Sequence, residues 1–290
     1  MSWFLLSISA ALCWAAGSIL VKKGFETIPP LWNNIINNAL TIFVYIPAAF
    51  IVAGHKTLSF HSILFVAAAS LLYQIFYYSI SKGQISLTGT LVAGYPVFTI
   101  LLAHIFISER LSLLQYTAVA LVIAGGIIIA LPQKKPQSKK SGTTAITEHK
   151  TWIIWGITGA AFLGTGDFLA KFAIDRDGIF SYLIIIVFIS NLYSVLNYAA
   201  DIKNRPIPKN IFKNILPTFS GLVLNLSGFV LFLLAFSKGK ASLVAPVSSV
   251  YPAVTVVLAV RFLKEKVSLI QVLGIGFIVL GLITVGITAG

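Results

Sequence analysis

The sequence predicts an all-α polytopic membrane protein: ten transmembrane helices arranged as two inverted five-helix repeats. Three observations predict it. The chain of 290 residues is 58% hydrophobic and only 10% charged, whereas an ordinary soluble domain is roughly 25% charged. No Lys, Arg, Asp or Glu occurs in 1–21, 27–55, 57–81, 83–108, 111–133, 179–200, 214–237, 241–260 or 267–290, and about 20 apolar residues suffice for one helix to cross a bilayer. The two halves of the chain also repeat one another.

The expected helices are 3–22, 31–53, 62–81, 87–107, 113–131, 151–172, 179–200, 214–236, 243–262 and 268–288. A soluble enzyme with one buried core is excluded, because such a core cannot absorb so many helix-length apolar runs. A transmembrane barrel is excluded because stretches such as 114–130 do not alternate in polarity. The net charge of +13 is scattered over short connections, without the continuous stripe that nucleic acid requires. The first segment has no charged n-region and resembles the others, so it reads as a span rather than a removable leader. Cys13 stands alone and behaves as a small buried hydrophobe.

Segment 132–150 carries two prolines and a cluster of lysines followed by small polar residues, a composition with little to bury. It separates a first repeat, 1–131, from a second, 151–290. Shifting the second half back by 156 positions aligns it with the first, and seventeen of the 47 positions from 81 to 127 are identical. Among them are Lys82/Lys238, Ser86/Ser242, Tyr95/Tyr251, Pro96/Pro252, Glu109/Glu265, Ser112/Ser268, Gln115/Gln271 and Gly125/Gly281. Apolar composition alone does not align Lys-Gly, Tyr-Pro, Glu and Gln in one frame. Five spans per repeat is an odd number, so the second copy is expected upside down relative to the first, which is a ground plan of secondary transporters.

Segments 94–129 and 250–284 resemble the EamA-type families of the drug/metabolite transporter superfamily. The resemblance rests on Pro96 with Glu109, Arg110 and Gln115, repeated as Pro252 with Glu265, Lys266 and Gln271. In this sequence Ser108 and Lys264 stand where the family pattern usually has glycine before the glutamate. The resemblance implies a multi-pass carrier of the bacterial cytoplasmic membrane, often an exporter, with a central cavity between helices 1–4 and 6–9. No ATP-binding loop is present, so the energy source is expected to be an ion gradient, such as protons, or the solute's own gradient. No cofactor is implied.

Candidate residues fall along the helices in order. In helix 1, Trp14 is too deep for a headgroup anchor, and its indole N–H needs a partner in a cavity or a packed interface. Helix 2 opens with Asn33, Asn34, Asn37 and Asn38 on one broad face, costly against lipid, which points to contacts with a solute or with neighbouring helices. Helix 3 carries Tyr73, Gln74, Tyr77 and Tyr78, a polar aromatic face suited to a sugar, base or amine, or else to an interfacial belt. In helix 4, Tyr95 and Pro96 lie mid-span, as do Tyr251 and Pro252 in helix 9. Paired kinks there would expose backbone carbonyls to substrate, or else are kinks tolerated in helix packing, where membrane helices carry proline more often than soluble ones.

Helix 6 holds Asp167, the one acidic residue well inside an expected span, and such residues are functional candidates by default. Lys171 lies four residues on, close enough to pair with it. This pair either carries a proton, a cation or a substrate amine, or is a local structural pair near the membrane edge. Asn191, Asn197, Asn225 and Ser227 add polarity to helices 7 and 8. Gly156, Ala160 and Gly164 give helix 6 a smooth packing stripe.

Loops on the far side from the termini hold 15 basic residues and near-side loops hold 6, so the positive-inside rule places both termini outside. The family resemblance implies both termini inside, and the sequence leaves this open. The expected partners are a small polar or amphipathic solute, the lipid bilayer and protons; nucleic acid is not one, and monomer and homodimer both remain open. A channel or a nontransporting membrane scaffold is the alternative function. An enzyme is not expected, since the sequence offers no nucleophile–base or metal-ligand constellation.

Overall fold

The computed structural model describes residues 2–24, 28–52, 59–82, 92–131, 151–202, 206–207, 215–263 and 268–288. The helices are α1 (Ser2–Gly24), α2 (Pro30–Ile51), α3 (Phe60–Lys82), α4 (Pro96–Ile107), α5 (Leu113–Ala130), α6 (Thr151–Ala200), α7 (Ile215–Lys238), α8 (Ala241–Ser248), α9 (Tyr251–Leu263) and α10 (Leu269–Thr288). Seven helical stretches among the described residues are long and apolar enough to cross a membrane. The chain is thus an all-α polytopic membrane protein.

One of those stretches covers 47 residues, Ile154–Ala200, about twice what a single crossing uses. It is not straight. Asp167 and Tyr182 would stand about 22 Å apart on an unbroken helix, yet both belong to one cluster: Tyr73 bonds Asp167, and the rings of Tyr73 and Tyr182 both meet Phe229. The fold-back occurs at Gly178, whose φ of 83° lies in the left-handed region that a residue without Cβ adopts freely. The sequence suggests a connection of several residues here, but helix persists on both sides of that glycine. The carboxylate of Asp177 accepts from the hydroxyls of Ser59 and Ser62, and Ser181 Oγ donates to the Asp177 carbonyl at 3.0 Å. These bonds satisfy the turn without a loop.

The two expected mid-span kinks take a different form. Pro96 is the first residue of α4, after a turn at 93–95, and Pro252 is the second residue of α9, after a turn at 249–250. The chain around Pro252 therefore stops one helix and starts another, and Pro96 likewise opens a helix. Proline has no N–H to donate and a fixed φ, and both properties suit a first helical turn better than a helix interior. Among the described residues, the prolines beyond the first turn of a helix are Pro47 of α2 and Pro246 of α8.

Packing joins the two parts of the chain. α1 lies along α7, α3 along the N-terminal limb of α6, α2 along its C-terminal limb, and α5 along α10. The last pair runs antiparallel: Gln115 Nε2 donates to the Thr288 carbonyl at 3.3 Å, while Gly125 approaches Gly274. A Cβ on Gly125 would stand 2.5 Å from the Gly274 carbonyl oxygen, and one on Gly281 would stand 2.7 Å from that of Ala118. Only glycine permits backbones this close, the usual device where lipid supplies no hydrophobic drive between helices.

Both helices of that pair begin alike. Ser112 Oγ accepts from Gln115 N at 3.3 Å while Gln115 Oε1 accepts from Ser112 N at 3.0 Å, and Ser268 with Gln271 repeats the exchange at 3.3 and 3.1 Å. These are capping boxes. The outer surface is apolar, with Phe43, Leu113, Leu216, Leu269 and Ile287 all strongly exposed. Asn38, Thr41, Ser70, Thr99, Asp167 and Ser181 are buried inside. Such a distribution suits lipid outside and a polar seam within.

Candidate functional site

The interior cluster is built around Asp167, which is 3% exposed on the N-terminal limb of α6. Tyr73 of α3 donates its phenol to Asp167 Oδ1 at 2.8 Å. The neighbouring Gly166 lets that ring lie flat on α6, since a Cβ there would stand 2.8 Å from a Tyr73 ring carbon. Tyr95 and Tyr182 lie within electrostatic reach of the carboxyl group. Tyr95 donates to the Ala245 carbonyl at 3.4 Å. The Tyr182 hydroxyl, on a side chain only 1% exposed, has no hydrogen-bond partner among the described residues.

Phe229 of α7 forms the opposite wall, with centroid distances of 6.2 Å to Tyr73, 6.4 Å to Tyr182 and 6.0 Å to Tyr45. The aromatic line continues through Phe232 to Trp14, 5.3 Å from it, and then to Tyr251 at 6.0 Å. The Trp14 indole donates to the Asn225 carbonyl at 3.1 Å. One carboxyl group thus lies at the head of a run of rings contributed by several helices. A buried anion in such a place needs a compensating charge.

Lys171 is not that charge. Its ammonium lies 2.6 Å from Asp175 Oδ1 and 2.8 Å from the Phe236 carbonyl oxygen. Carboxylates stand four residues away on either side of this lysine, and Asp175 is the better hydrated, at 45% side-chain exposure. Pairing there keeps the ion pair close to water and costs less desolvation.

Asn34 and Asn38 join α2 to the C-terminal limb of α6. Asn38 Nδ2 donates to Ser194 Oγ at 2.7 Å and to Asn34 Oδ1 at 3.2 Å, and Asn37 Nδ2 donates to Asn38 Oδ1 at 3.3 Å. Asn191 Nδ2 donates to the Asn38 carbonyl at 3.0 Å. Asn34 also lines a cavity of about 450 Å³ with Leu31, Asn197, Ala200 and Asp201. Asn33 is half-buried on the same helix. The side chains of Gln74, Tyr77 and Tyr78 lie outside the described residues. Of the sequence candidates, the structure gathers Tyr73, Tyr95 and Asp167 into one cluster, with Trp14, Asn225 and Tyr251 at its edge.

Sequence reasoning missed Tyr45, Tyr182 and Phe229, whose rings join the cluster around Tyr73 only through tertiary packing. It also left Glu109 without a role. Glu109 caps the start of α8, accepting from Ala241 N at 2.8 Å, Ser242 N at 2.9 Å and Ser242 Oγ at 2.6 Å. The signal was available, because Glu109 and Ser242 both belong to the repeated identities.

The profile of the EamA-like transporter family matches residues 1–131 and 150–287. The chain belongs to this family. An uncharacterized transporter of Archaeoglobus fulgidus is 25% identical over 288 residues, covering 96% of each chain. A Methanocaldococcus jannaschii protein described only as uncharacterized is 37% identical over 140 residues, which are 98% of its length and 48% of this chain. One solved crystal structure shares the fold at a TM-score of 0.76 and 14% identity, over 99% of this chain and 97% of the other. As an EamA-like transporter, the protein is a multi-pass carrier of small molecules embedded in the lipid bilayer, not an enzyme.

Proposed function

We propose that this transporter works by alternating access, as ten spans in two oppositely oriented halves, 1–131 and 151–290, joined by the linker 132–150. The observation that carries this reading is the pairing of α5 with α10. The Gly125–Gly274 and Gly281–Ala118 contacts are images of each other under the 156-residue shift of the repeat, and the two helices run antiparallel. A two-fold relation between inverted copies requires both features. The half-length relative from Methanocaldococcus jannaschii adds support. The ten-span count takes α6 as two crossings folded at Gly178, and α8 with α9 as one interrupted crossing.

The solute, a small polar or amphipathic metabolite, sits in the interior near Asp167, and the direction is export from the cell across its cytoplasmic membrane. Asp167 supports proton coupling, because a buried carboxylate must be neutralised before the site can turn from one side to the other, and a proton is the smallest neutraliser. The test is a solute-library stabilisation screen on purified protein, followed by counterflow of each hit in proteoliposomes. Saturable, trans-stimulated flux supports the carrier. Conductance would indicate a channel, and no flux of any hit would indicate a scaffold.

A further inference from the structure

We propose that the solute is an organic cation, a protonated amine whose ammonium head binds Asp167 while its apolar remainder lies against the rings of α7 and α1. This rests on the carrier reading above and gives its solute a charge.

The geometry of the cluster specifies the head. Tyr73 occupies Asp167 Oδ1, and no other hydrogen bond to Asp167 is formed among the described side chains, so Oδ2 is left to accept from a guest. The Tyr182 hydroxyl, buried and unpartnered, sits on a ring that meets Phe229 as the Tyr73 ring does, and offers a second acceptor in the same cluster. An ammonium with two N–H donors satisfies both oxygens. A carboxylate, phosphate or other anionic head would meet Asp167 with repulsion and no cation in return, since Lys171 is engaged by Asp175 and the Phe236 carbonyl.

The walls specify the rest. Phe229, Tyr73 and Tyr182 make the surroundings of the head aromatic, and ring faces attract a desolvated cation by their quadrupoles. Beyond them, Phe232 and Trp14 continue the apolar line. A sugar, with many hydroxyls and no charge, would leave the carboxylate uncompensated and find mostly rings to bond. The chemistry therefore selects a cation carrying at least one N–H and an apolar or aromatic body of modest size.

The experiment compares three probes of one shape on the intact purified protein in lipid nanodiscs: 2-phenylethylamine, 2-phenylethanol and 3-phenylpropionate. The amine is expected to raise the melting temperature and to bind saturably, while the alcohol and acid leave it unchanged. Tetramethylammonium, which lacks N–H donors, is expected to bind more weakly than the amine. D167N is expected to weaken amine binding by about tenfold or more, as loss of a charge-assisted hydrogen bond in a dry site requires. Y182F, which keeps the ring, is expected to weaken the amine but not tetramethylammonium.

Equal stabilisation by the alcohol or acid, or none by the amine, overturns the inference, and this comparison uses unaltered protein, so it stands even where D167N fails to fold. A D167N protein that loses gradient-driven flux but keeps equilibrium exchange of the amine also overturns it, leaving Asp167 a coupling role alone. Saturable flux of the alcohol or acid without amine binding overturns the cation and leaves the carrier intact. Absence of flux for every solute counts against the carrier itself.

Discussion

The phenol of Tyr73 holds one oxygen of Asp167 at 2.8 Å across 94 positions of sequence. That single bond ties α3 to the N-terminal limb of α6 at the one place in the described interior where a carboxyl group lies among rings. Substituting phenylalanine for Tyr73 keeps the ring against Phe229 and leaves Asp167 Oδ1 without its donor. A cost of about 1–3 kcal/mol is expected for an unsatisfied buried acceptor, read as a fall of a few degrees in apparent melting temperature. An unchanged melting temperature would show the bond to be dispensable.

The proposed inversion of the halves makes Ser112 and Ser268 a decisive pair. They occupy equivalent positions at the starts of α5 and α10. With Cys13 replaced by alanine, cysteines introduced singly at these two positions should react with an impermeant thiol reagent from opposite sides of the membrane, one in intact cells and the other only after permeabilisation. The charge bias makes Ser112 the one labelled from outside. Labelling of both from one side would make the halves parallel and remove the alternating-access reading.

Glu109 gives a prediction about stability. Its two carboxylate oxygens accept three bonds at the start of α8, and glutamine offers only one acceptor oxygen and an amide that would face an N–H. E109Q should destabilise the protein by about 1–3 kcal/mol. S242A removes only the hydroxyl donor and should cost less. Thermal unfolding of the two variants side by side checks the order.

The α5–α10 seam predicts a sharp contrast between two glycines of similar sequence context. A Cβ at Gly125 would stand 2.5 Å from a backbone oxygen, whereas nothing lies within 4 Å of one at Gly276. G125L should lower stability by several kcal/mol, roughly the upper range of overpacking penalties, while G276L should be neutral or slightly stabilising through helix propensity. Similar melting temperatures for both would contradict the close approach of the two helices.

The large-scale order of the chain was legible because long charge-free runs report the solvent around them. Asp167 was legible as well, since a carboxylate at membrane depth has few innocent explanations. Its partner was not. Local spacing offers Lys171 equally to Asp167 and Asp175, and only the depth of each in the folded protein decides between them. Tyr182 and Phe229 carried no mark, because a ring in an apolar run looks the same whether it faces lipid or a carboxyl group. The starts of α5 and α10 were legible too, since a serine followed three residues later by glutamine, as in Ser112 with Gln115 and Ser268 with Gln271, already spells a capping box. At Pro96 and Pro252 the sequence does not tell a kink from a fresh helix start.

Gly178 joins two membrane-length limbs without a strap of free chain between them. One limb grips α3 through Tyr73 and the serines at its start, and the other grips α2 through Asn38 and Ser194. A tilt in either limb is therefore handed to the other through a rigid elbow, and α2 and α3 are geared together from the opposite half of the molecule. A spacer of several residues inserted beside Gly178 would let the limbs slip independently, with the spans themselves unchanged.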